Sequence, residues 1–425
     1  MRKYLEQLPE EIQNLIRLAG VAAQGRCMRV YLVGGFVRDL ILGVKNLDLD
    51  IVVEGDGIAF AEDYALLLKA KLVRHRRFST ATVVISHDLK IDIATARTEY
   101  YPKPADLPVV SPGKLEDDLK RRDFTVNAMA IDISPGCYGK LIDCYGGKKD
   151  LTDKKIRVLH GLSFVDDPTR ILRAVRFEQR YGFRIEPRTL SLARDAVKEG
   201  MLEIVQPQRL RDELILILKE PLFIKGVKRL ASLTGLKFIS PRLSVPAKTR
   251  LFLKGIRHEA EWFKSAYPRH RRLDVWIMYL AGLIDHLAPK DARGVCKKFV
   301  FSNGETKRIL TCKMIPRQII KEMASSSIKP SRIYKLLEPL SYEAILLLKA
   351  KYKEKNIQRH IRDFFDVYQG VRVHVRGEDL LRLGLTPGPQ YQKIFSRVLA
   401  ARLNSEVKTK DDELMLIKRL TGSGR

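Results

Sequence analysis

The sequence has few cysteines, and nothing in their spacing indicates a stabilising site. Its five cysteines are scattered along 425 residues, and no two of them form a CxxC pair. The sequence therefore supports neither a disulfide framework nor a zinc site.

Long apolar runs are also missing. The most apolar stretch, VWIMYLAGLI (Val275–Ile284), is too short to cross a bilayer and is typical of a core helix. Since the N-terminus has no apolar segment of the signal-peptide kind, we expect a cytoplasmic protein without a membrane partner. Neither GxxxxGK[ST] nor GxGxxG occurs, which argues against a P-loop or a Rossmann dinucleotide site.

Negative charge is scarce in the later part of the chain. Residues 1–150 hold 22 Lys and Arg against 21 Asp and Glu, whereas residues 151–425 hold 56 against 29. A thermophile-type surface would carry matching glutamates. We therefore expect a nearly neutral N-terminal module joined to a basic one that holds nucleic acid.

The pattern of apolar residues divides the chain in a similar way. At this length, two to four domains are expected. Up to about residue 135, strand-like and helical segments are mixed, which indicates a small α/β domain. From Pro168 onward strand signals nearly vanish, and apolar residues recur at helical spacing.

The stretch LVGGFVRDLILGVKNLDLDIVV combines a glycine turn with two carboxylates. A Gly34-Gly35 turn that enters a helix exposes backbone N–H groups to an anion, and Arg38 lies on the first helical turn. In the strand that follows, Asp48 and Asp50 share a face and repel each other unless a cation lies between them. These are the parts of a site for Mg²⁺-dependent phosphoryl or nucleotidyl transfer. The alternative is a simple tight turn with Asp48 as a cap.

Asp92, in LKIDIATAR, is another acid inside an apolar strand. It is either a third carboxylate of the same site or an exposed residue on an edge strand.

Two further segments carry charges ahead of apolar residues. In RRDFTVNAMA, Arg122 and Asp123 can contact a triphosphate and a ribose hydroxyl, with Asn127 nearby, although a salt-bridged loop has the same pattern. VDDPTRILRAVRF places an acid and three arginines at three-residue intervals along a helix: Asp167, Arg170, Arg173 and Arg176. Such a row can hydrogen-bond a base edge and phosphates; a solvated basic face is the alternative.

These motifs, together with LIDCYGGKKDL and QRLRDEL, resemble in order and spacing the class II tRNA nucleotidyltransferase and bacterial poly(A) polymerase family over residues 29–215. The head of that family is similar to the polymerase beta superfamily. The resemblance implies an elongated multidomain chain with an α/β nucleotidyltransferase head at 1–150, followed by all-α parts. These would be a neck with the nucleotide-selecting motif at 151–230, a body at 231–335 and a basic, tRNA-binding tail at 336–425.

The resemblance also implies roles for single residues. Asp48 and Asp50 would bind Mg²⁺, with Asp92 as a further catalytic carboxylate. The remaining candidates would bind the nucleotide. Gly34, Gly35 and Arg38 would hold the triphosphate, and Arg122, Asp123 and Asn127 would contact the ribose. Asp167 and Arg170, supported by Arg173 and Arg176, would hydrogen-bond the base edge of CTP or ATP. Two positions depart from the family pattern, Asp166 in place of Glu and Gln208 before Arg209, and we interpret position 208 as structural.

The function so implied is addition of CCA to the tRNA acceptor arm from CTP and ATP. Addition of the terminal A alone, poly(A) synthesis, and a non-catalytic RNA-binding module remain as alternatives, and the oligomeric state stays open. Addition of CC alone is disfavoured because the segment between Arg97 and Arg121 is long enough to carry the flexible loop that CC-adding relatives shorten. In the tail, TPGPQ is either a helix start at Thr386 or a turn between helices.

Overall fold

The computed structural model describes residues 1–76 and 79–421. The chain forms two compact units, which divide between Phe238 and Ile239. The first unit contains every strand of the described residues, and the second is helical. The predicted fold class, an α/β N-terminal part followed by helices, is confirmed. No helix among the described residues has the length and apolar character needed to span a membrane.

The first unit is built on a seven-stranded sheet with the order β3-β4-β5-β2-β1-β8-β9. The strands of this unit are β1 (Arg29–Val33), β2 (Leu49–Glu54), β3 (Lys71–His75), β4 (Thr80–Val84), β5 (Lys90–Thr95), β6 (Arg97–Tyr100), β7 (Val109–Pro112), β8 (Ala130–Asp132), β9 (Lys140–Ile142), β10 (Lys155–Ile156) and β11 (Arg184–Ile185). Within the large sheet, β2 and β5 are parallel, and β6 pairs with β7 as a separate antiparallel hairpin. That hairpin occupies most of the segment predicted to carry a flexible loop.

The helices of the first unit are α1 (Arg2–Leu5), α2 (Glu10–Gln24), α3 (Gly35–Leu42), α4 (Gly57–Leu67), α5 (Leu115–Lys120), α6 (Gly147–Thr152), α7 (Ser163–Asp166), α8 (Thr169–Tyr181), α9 (Pro187–Lys198), α10 (Met201–Ile204), α11 (Pro207–Lys219) and α12 (Phe223–Thr234). Helices α2 and α4 pack on the sheet. Side chains alternate between the faces of a strand, so Ile51, Ile93 and Ala81 are buried on one face while Asp50, Asp92 and Thr82 lie on the other.

The helices of the second unit are α13 (Ala247–Ala266), α14 (Val275–Leu283), α15 (Pro289–Lys298), α16 (Asn303–Lys313), α17 (Arg317–Ala324), α18 (Pro330–Leu337), α19 (Tyr342–Lys351), α20 (Lys355–Asp366), α21 (Gly377–Arg382), α22 (Pro389–Leu403) and α23 (Lys410–Thr421). Helix α22 begins at Pro389, so Thr386 belongs to the turn before the helix and does not start it. Proline is favoured at the first position of a helix. Of the two prolines in TPGPQ, the second, Pro389, occupies that position.

Candidate functional site

A cavity of about 590 Å³ in the first unit gathers most of the predicted site residues. It is bounded by the N-terminus of α3, the start of β2, the segment after α5, and one side of α8. The predicted residues that line it are Gly34, Gly35, Arg38, Asp48, Asp50, Arg122, Asp123, Asn127, Asp167, Arg170, Arg173 and Arg176. Asp92 lies in an adjoining cavity that shares Asp50 with the first.

The two carboxylates of the DxD motif differ in environment. Asp48 is exposed and precedes β2, which begins at Leu49. The prediction that both aspartates lie within the strand is therefore wrong for Asp48, whose backbone N–H donates to Asn46 Oδ1 at 3.0 Å. Asp50 is half-buried on β2. Burial raises the pKa of Asp50 to about 6; Arg122 and Arg38 oppose the shift, and Asp92 and Asp48 add to it.

Asp92 lies directly across from Asp50 in the parallel ladder of β2 and β5. Its strand has neighbours on both sides, β4 and β2, which excludes the edge-strand alternative, although its side chain is exposed. Thr82 on β4 donates a hydrogen bond of 2.6 Å to Asp92 Oδ1. Asp92 is thus fixed in orientation beside the half-buried Asp50.

The donor set suits Mg²⁺ bound together with substrate. Among residues 1–76 and 79–421, no three His, Cys, Asp or Glu side chains converge into a metal cage. Mg²⁺ seldom needs one, because it is commonly held by one or two carboxylates with substrate phosphates and water completing the shell. Asp48 and Asp50 offer hard oxygen ligands. Burial raises the pKa of Asp50, so a cation bound there would stabilise its ionised form.

The Gly34-Gly35 turn brings an arginine close to the backbone. Gly34 has φ +68°, and a Cβ at this position would lie 2.6 Å from Arg122 Nη1 and 3.9 Å from Asp50 Oδ2. Arg122 donates from Nη2 to Asp118 Oδ2 at 2.8 Å, but its Nε is buried without a hydrogen-bond partner in the described part of the chain. A buried unpaired donor beside a helix N-terminus is suited to an anion.

Arg38 lines the cavity, but its guanidinium is already bonded. It donates to both carboxylate oxygens of Asp39, at 2.8 and 2.9 Å, and from Nη1 to Asn127 Oδ1. Its guanidinium carbon lies 4.7 Å from the ring centre of Tyr181 and 5.3 Å from that of Phe177. Arg38 is therefore a fixed, buried positive charge in the wall rather than a mobile side chain on the first turn of α3.

Asn127 continues this network to Asp123. Its Nδ2 donates to Asp123 Oδ1 at 2.8 Å, and Arg173 donates to Asp123 Oδ2 from Nε at 2.9 Å and from Nη2 at 2.7 Å. Burial favours the neutral form of Asp123, but the charge of Arg173 and these hydrogen bonds hold its pKa below the ordinary value. The segment RRDFTVNAMA, for which a plain salt-bridged loop was the alternative, is salt-bridged here, and its ion pairs form part of the wall of the cavity.

Helix α8 is not a solvated basic face. Arg170 and Arg176 are buried, and Arg170 donates to Ser163 Oγ and to the backbone oxygen of Arg121, each at 2.7 Å. Glu213 of α11 lies 3.0 Å from Arg173 Nη1 and 3.3 Å from Arg176 Nε. The arginines are thus held in place by a carboxylate that the sequence reasoning did not consider.

Asp167 is held from two directions. Thr169 donates to Asp167 Oδ1 from its backbone N–H at 3.0 Å and from its hydroxyl at 2.6 Å. Arg209 Nη2 lies 2.8 Å from the same oxygen. The sequence gives no hint of this contact, because Arg209 and Asp167 are far apart along the chain.

The chain is similar to known proteins in sequence and in structure. A family model described as the poly A polymerase head domain matches residues 30–157, and one described as a probable RNA- and SrmB-binding site of polymerase A matches residues 182–245. An A-adding tRNA nucleotidyltransferase of Geobacter sulfurreducens is 38% identical over 421 residues, 98% of this chain and 48% of that protein. One of Halalkalibacterium halodurans is 32% identical over 419 residues, 96% of this chain and 92% of that protein.

The chain therefore spans about half the length of the Geobacter relative and nearly all of the Halalkalibacterium one. Among solved structures, the Thermotoga maritima CCA-adding enzyme complexed with tRNA is 34% identical, with a TM-score of 0.74 over 99% of this chain and 98% of that chain. Since identity above 30% extends along almost the full length of two such proteins, this chain belongs to the family of tRNA nucleotidyltransferases and bacterial poly(A) polymerases.

Proposed function

We propose that this chain transfers a nucleotide from a nucleoside triphosphate to the 3′ end of tRNA without a nucleic-acid template. The observation that supports this most directly is the cavity itself, which places Asp48 and Asp50 beside a wall of arginines. In the reaction, the RNA 3′-oxygen bonds to the α-phosphorus, the bond to the bridging oxygen of the β-phosphate breaks, pyrophosphate leaves, and the hydroxyl proton passes to water.

The side chains of the cavity divide into groups by what they offer. Asp48 and Asp50 would hold Mg²⁺, which when bound lowers the pKa of the attacking hydroxyl and neutralises the leaving pyrophosphate. Arg122, with its buried unpaired Nε, and the backbone at Gly34 and Gly35 would bind the triphosphate. Arg38 would supply fixed positive charge behind them.

Selection of the nucleotide would depend on the network around α8. Asp123 would meet the ribose, oriented by Asn127 and Arg173. Asp167 and Arg170 would present an acceptor and donors to the base edge, and Arg209 and Ser163 keep them in position. Because all these side chains are tied to protein groups, the site would discriminate by a fixed hydrogen-bond pattern.

The terminal adenosine is the addition that we favour. The sequence alone suggests complete CCA addition, but the Geobacter and Halalkalibacterium relatives, matched over 98% and 96% of this chain, are both named A-adding. Complete CCA addition is the second candidate, because the structural relative from Thermotoga is named a CCA-adding enzyme. We propose ATP as the nucleotide donor for both candidate activities, and CTP as a further donor for complete CCA addition.

The basic helical part would hold the tRNA. Residues 239–425 contain 38 Lys and Arg against 18 Asp and Glu, and such an excess binds a phosphate backbone without reading its sequence. We retain the head, neck, body and tail boundaries given above as a proposal, with the tail as a tRNA-binding element.

Product length on a gel separates these activities. Three tRNA transcripts that end before CCA, after C, and after CC are each incubated with CTP, with ATP, and with both. Extension of the CC-ended transcript alone, by one A, is the expected result. Growth of the first transcript by three residues would establish CCA addition instead, an open-ended ladder with ATP would indicate poly(A) synthesis, and no extension would overturn the proposal.

A further inference from the structure

The loop between α3 and β2 carries one of the two carboxylates of the DxD motif. Asp50 belongs to β2 and pairs with Asp92 of β5, so the sheet fixes its backbone. Asp48 is exposed and lies before the strand, outside this ladder. A ligand that becomes ordered only when the metal binds loses conformational entropy at that moment. Contacts that hold Asp48 in place beforehand would therefore strengthen metal binding.

Asn46 is the one side chain of this loop that turns inward. Within residues 43–48, Asn46 is half-buried and every other residue is exposed. Its Oδ1 accepts the backbone N–H of Asp48 at 3.0 Å, and its Nδ2 donates to Asp39 Oδ2 at 2.8 Å. A single amide thus bonds the backbone of Asp48 to a carboxylate of α3.

Asp39 holds this amide in one orientation. It is 1% exposed, and it accepts further hydrogen bonds from Arg38 Nε at 2.8 Å, from Arg38 Nη2 at 2.9 Å and from the Tyr181 hydroxyl at 3.1 Å. A carboxylate paired with an arginine only accepts hydrogen bonds. The NH₂ group of Asn46 therefore faces Asp39, and its carbonyl oxygen is left for the N–H of Asp48.

The same aspartate supports the wall of the cavity. Its partner Arg38 is buried and lines the same cavity as Asp48, and Tyr181 comes from α8. Asp39 thus connects α3, α8 and the loop that carries Asp48. The loop carboxylate and the buried arginine are held through one shared group.

We propose that Asn46 is a positioning residue for Asp48, which it ties to the buried pair of Arg38 and Asp39. This inference rests on the proposed function, which assigns Mg²⁺ to Asp48. Asparagine meets both requirements of the position, an acceptor for an N–H and a donor to a carboxylate. Alanine would meet neither, and aspartate would place a second negative charge against Asp39.

Asn46→Ala, Asn46→Ser and Leu47→Ala test the inference in the full chain. Serine keeps a hydroxyl that can accept the N–H two residues further on, more weakly than asparagine does. Leu47→Ala is the matched control, since Leu47 lies between Asn46 and Asp48 and is 43% exposed.

The Mg²⁺ requirement distinguishes positioning from a general structural role. In extension of a CC-ended tRNA, the Mg²⁺ concentration for half-maximal rate should rise about tenfold in Asn46→Ala, as for the loss of a group that orients a metal ligand. The rise should be intermediate in Asn46→Ser and absent in Leu47→Ala. The KM for ATP at saturating Mg²⁺ should stay unchanged, because Arg38 and Tyr181 still hold Asp39. A higher KM for ATP with an unchanged Mg²⁺ requirement would overturn the inference.

Mn²⁺ binding separates this inference from the proposed activity, since it needs no turnover. Mn²⁺ takes the same oxygen ligands as Mg²⁺, and its binding without RNA is measured from the loss of the free-ion EPR signal. The binding that Asp48→Asn abolishes defines the site, and we expect its dissociation constant to rise about tenfold in Asn46→Ala.

That rise would support the inference even in a protein that failed to extend tRNA. Equal Mn²⁺ affinity in Asn46→Ala and Leu47→Ala would overturn it even in an active enzyme. Binding that Asp48→Asn leaves unchanged would overturn both the inference and the assignment of the metal to Asp48.

Discussion

Arg173 of α8 places two donors on a single oxygen of Asp123, at 2.9 Å from Nε and 2.7 Å from Nη2. The two residues are 50 positions apart in the chain, and their ion pair joins the segment after α5 to α8. Asp123 is 7% exposed, so the pair is removed from water on the carboxylate side. It connects the proposed ribose contact with the proposed base-reading helix.

Asp123→Asn should destabilise the first unit by about 2–4 kcal/mol, because it removes the buried carboxylate that accepts two hydrogen bonds from Arg173 and leaves that charge paired with Glu213 alone. Both tryptophans, Trp262 and Trp276, lie in the second unit. Urea unfolding is followed by far-UV circular dichroism, which reports on both units, and by tryptophan fluorescence, which reports on the second unit alone. A change seen by circular dichroism but not by fluorescence is a change in the stability of the first unit. Asp212→Asn is the matched control, since Asp212 pairs with Arg211 but its side chain is 62% exposed, and we expect a change below about 0.5 kcal/mol. Equal effects of the two substitutions would contradict the role of the buried pair.

Comparison of Gly34→Ala with Gly43→Ala separates the effect of backbone strain from that of a steric clash. Both glycines have positive φ, +68° and +66°, but a Cβ would be 2.6 Å from Arg122 at position 34 and would meet nothing within 4 Å at position 43. Each substitution should cost about 1–2 kcal/mol through left-handed strain. Only Gly34→Ala should also displace Arg122, and we expect it alone to raise the KM for ATP by about tenfold or more, as a charged hydrogen bond is lost. An equal rise in both variants would show that Arg122 is not a triphosphate contact.

Arg209→Gln tests whether the contact with Asp167 matters for nucleotide choice. Arg209 Nη2 lies 2.8 Å from Asp167 Oδ1, so without it Asp167 is less firmly oriented. We expect the ratio of kcat/KM for ATP to that for GTP to fall about tenfold, the equivalent of one charge-assisted hydrogen bond. Arg194→Gln, at an exposed position of α9, serves as the control. If the ratio is the same in both variants, the contact of Arg209 with Asp167 has no part in nucleotide choice.

Glu343 makes the second unit sensitive to acid. Burial alone would raise its pKa, but Arg271 and the backbone N–H of Asp274 lower it from 4.5 to about 2. A carboxylate with a depressed pKa in the folded state stabilises the protein above the pKa of the unfolded state, and this contribution is lost as the pH falls from 4.5 toward 2.

The free energy of unfolding, followed by tryptophan fluorescence, should therefore be about 2–3 kcal/mol lower in Glu343→Gln than in the wild type at pH 6. The difference should shrink toward zero as the pH falls below 3. A difference that stays constant over this range would mean that the ionised carboxylate of Glu343 contributes nothing to stability.

The part of the site that lies within short sequence segments could be predicted. The spacing of Asp48 and Asp50 and the Gly34-Gly35 turn depend on local geometry, since strand alternation and helix N-termini follow from neighbouring residues. Even there Asp48 lies before the strand, because the Asn46 side chain accepts its N–H. The sequence does not show whether a loop side chain two positions away forms such a bond.

The contacts between segments could not be predicted. Glu213 and Arg209 come from α11, and their partners Arg173 and Asp167 lie about 40 residues earlier. An arginine row at three-residue spacing is compatible with solvent or with burial, and only tertiary packing decides between them. The same holds for Asp92, which is exposed and yet lies in a central strand.

We propose that Asp50 belongs to a nucleotidyl-transfer site that acts with Mg²⁺. The most direct test is the extension of a CC-ended tRNA with labelled ATP under single-turnover conditions. The wild type is compared with Asp50→Asn and with the control Asp88→Asn, which alters an almost fully exposed turn. With Mg²⁺ present, the wild type and Asp88→Asn should add one A at the same rate, and Asp50→Asn should be slower by about 10²–10³-fold or more. Removal of Mg²⁺ with EDTA should abolish extension by all three proteins. An Asp50→Asn variant that extends the tRNA at the wild-type rate would contradict the assignment of this cavity as the active site.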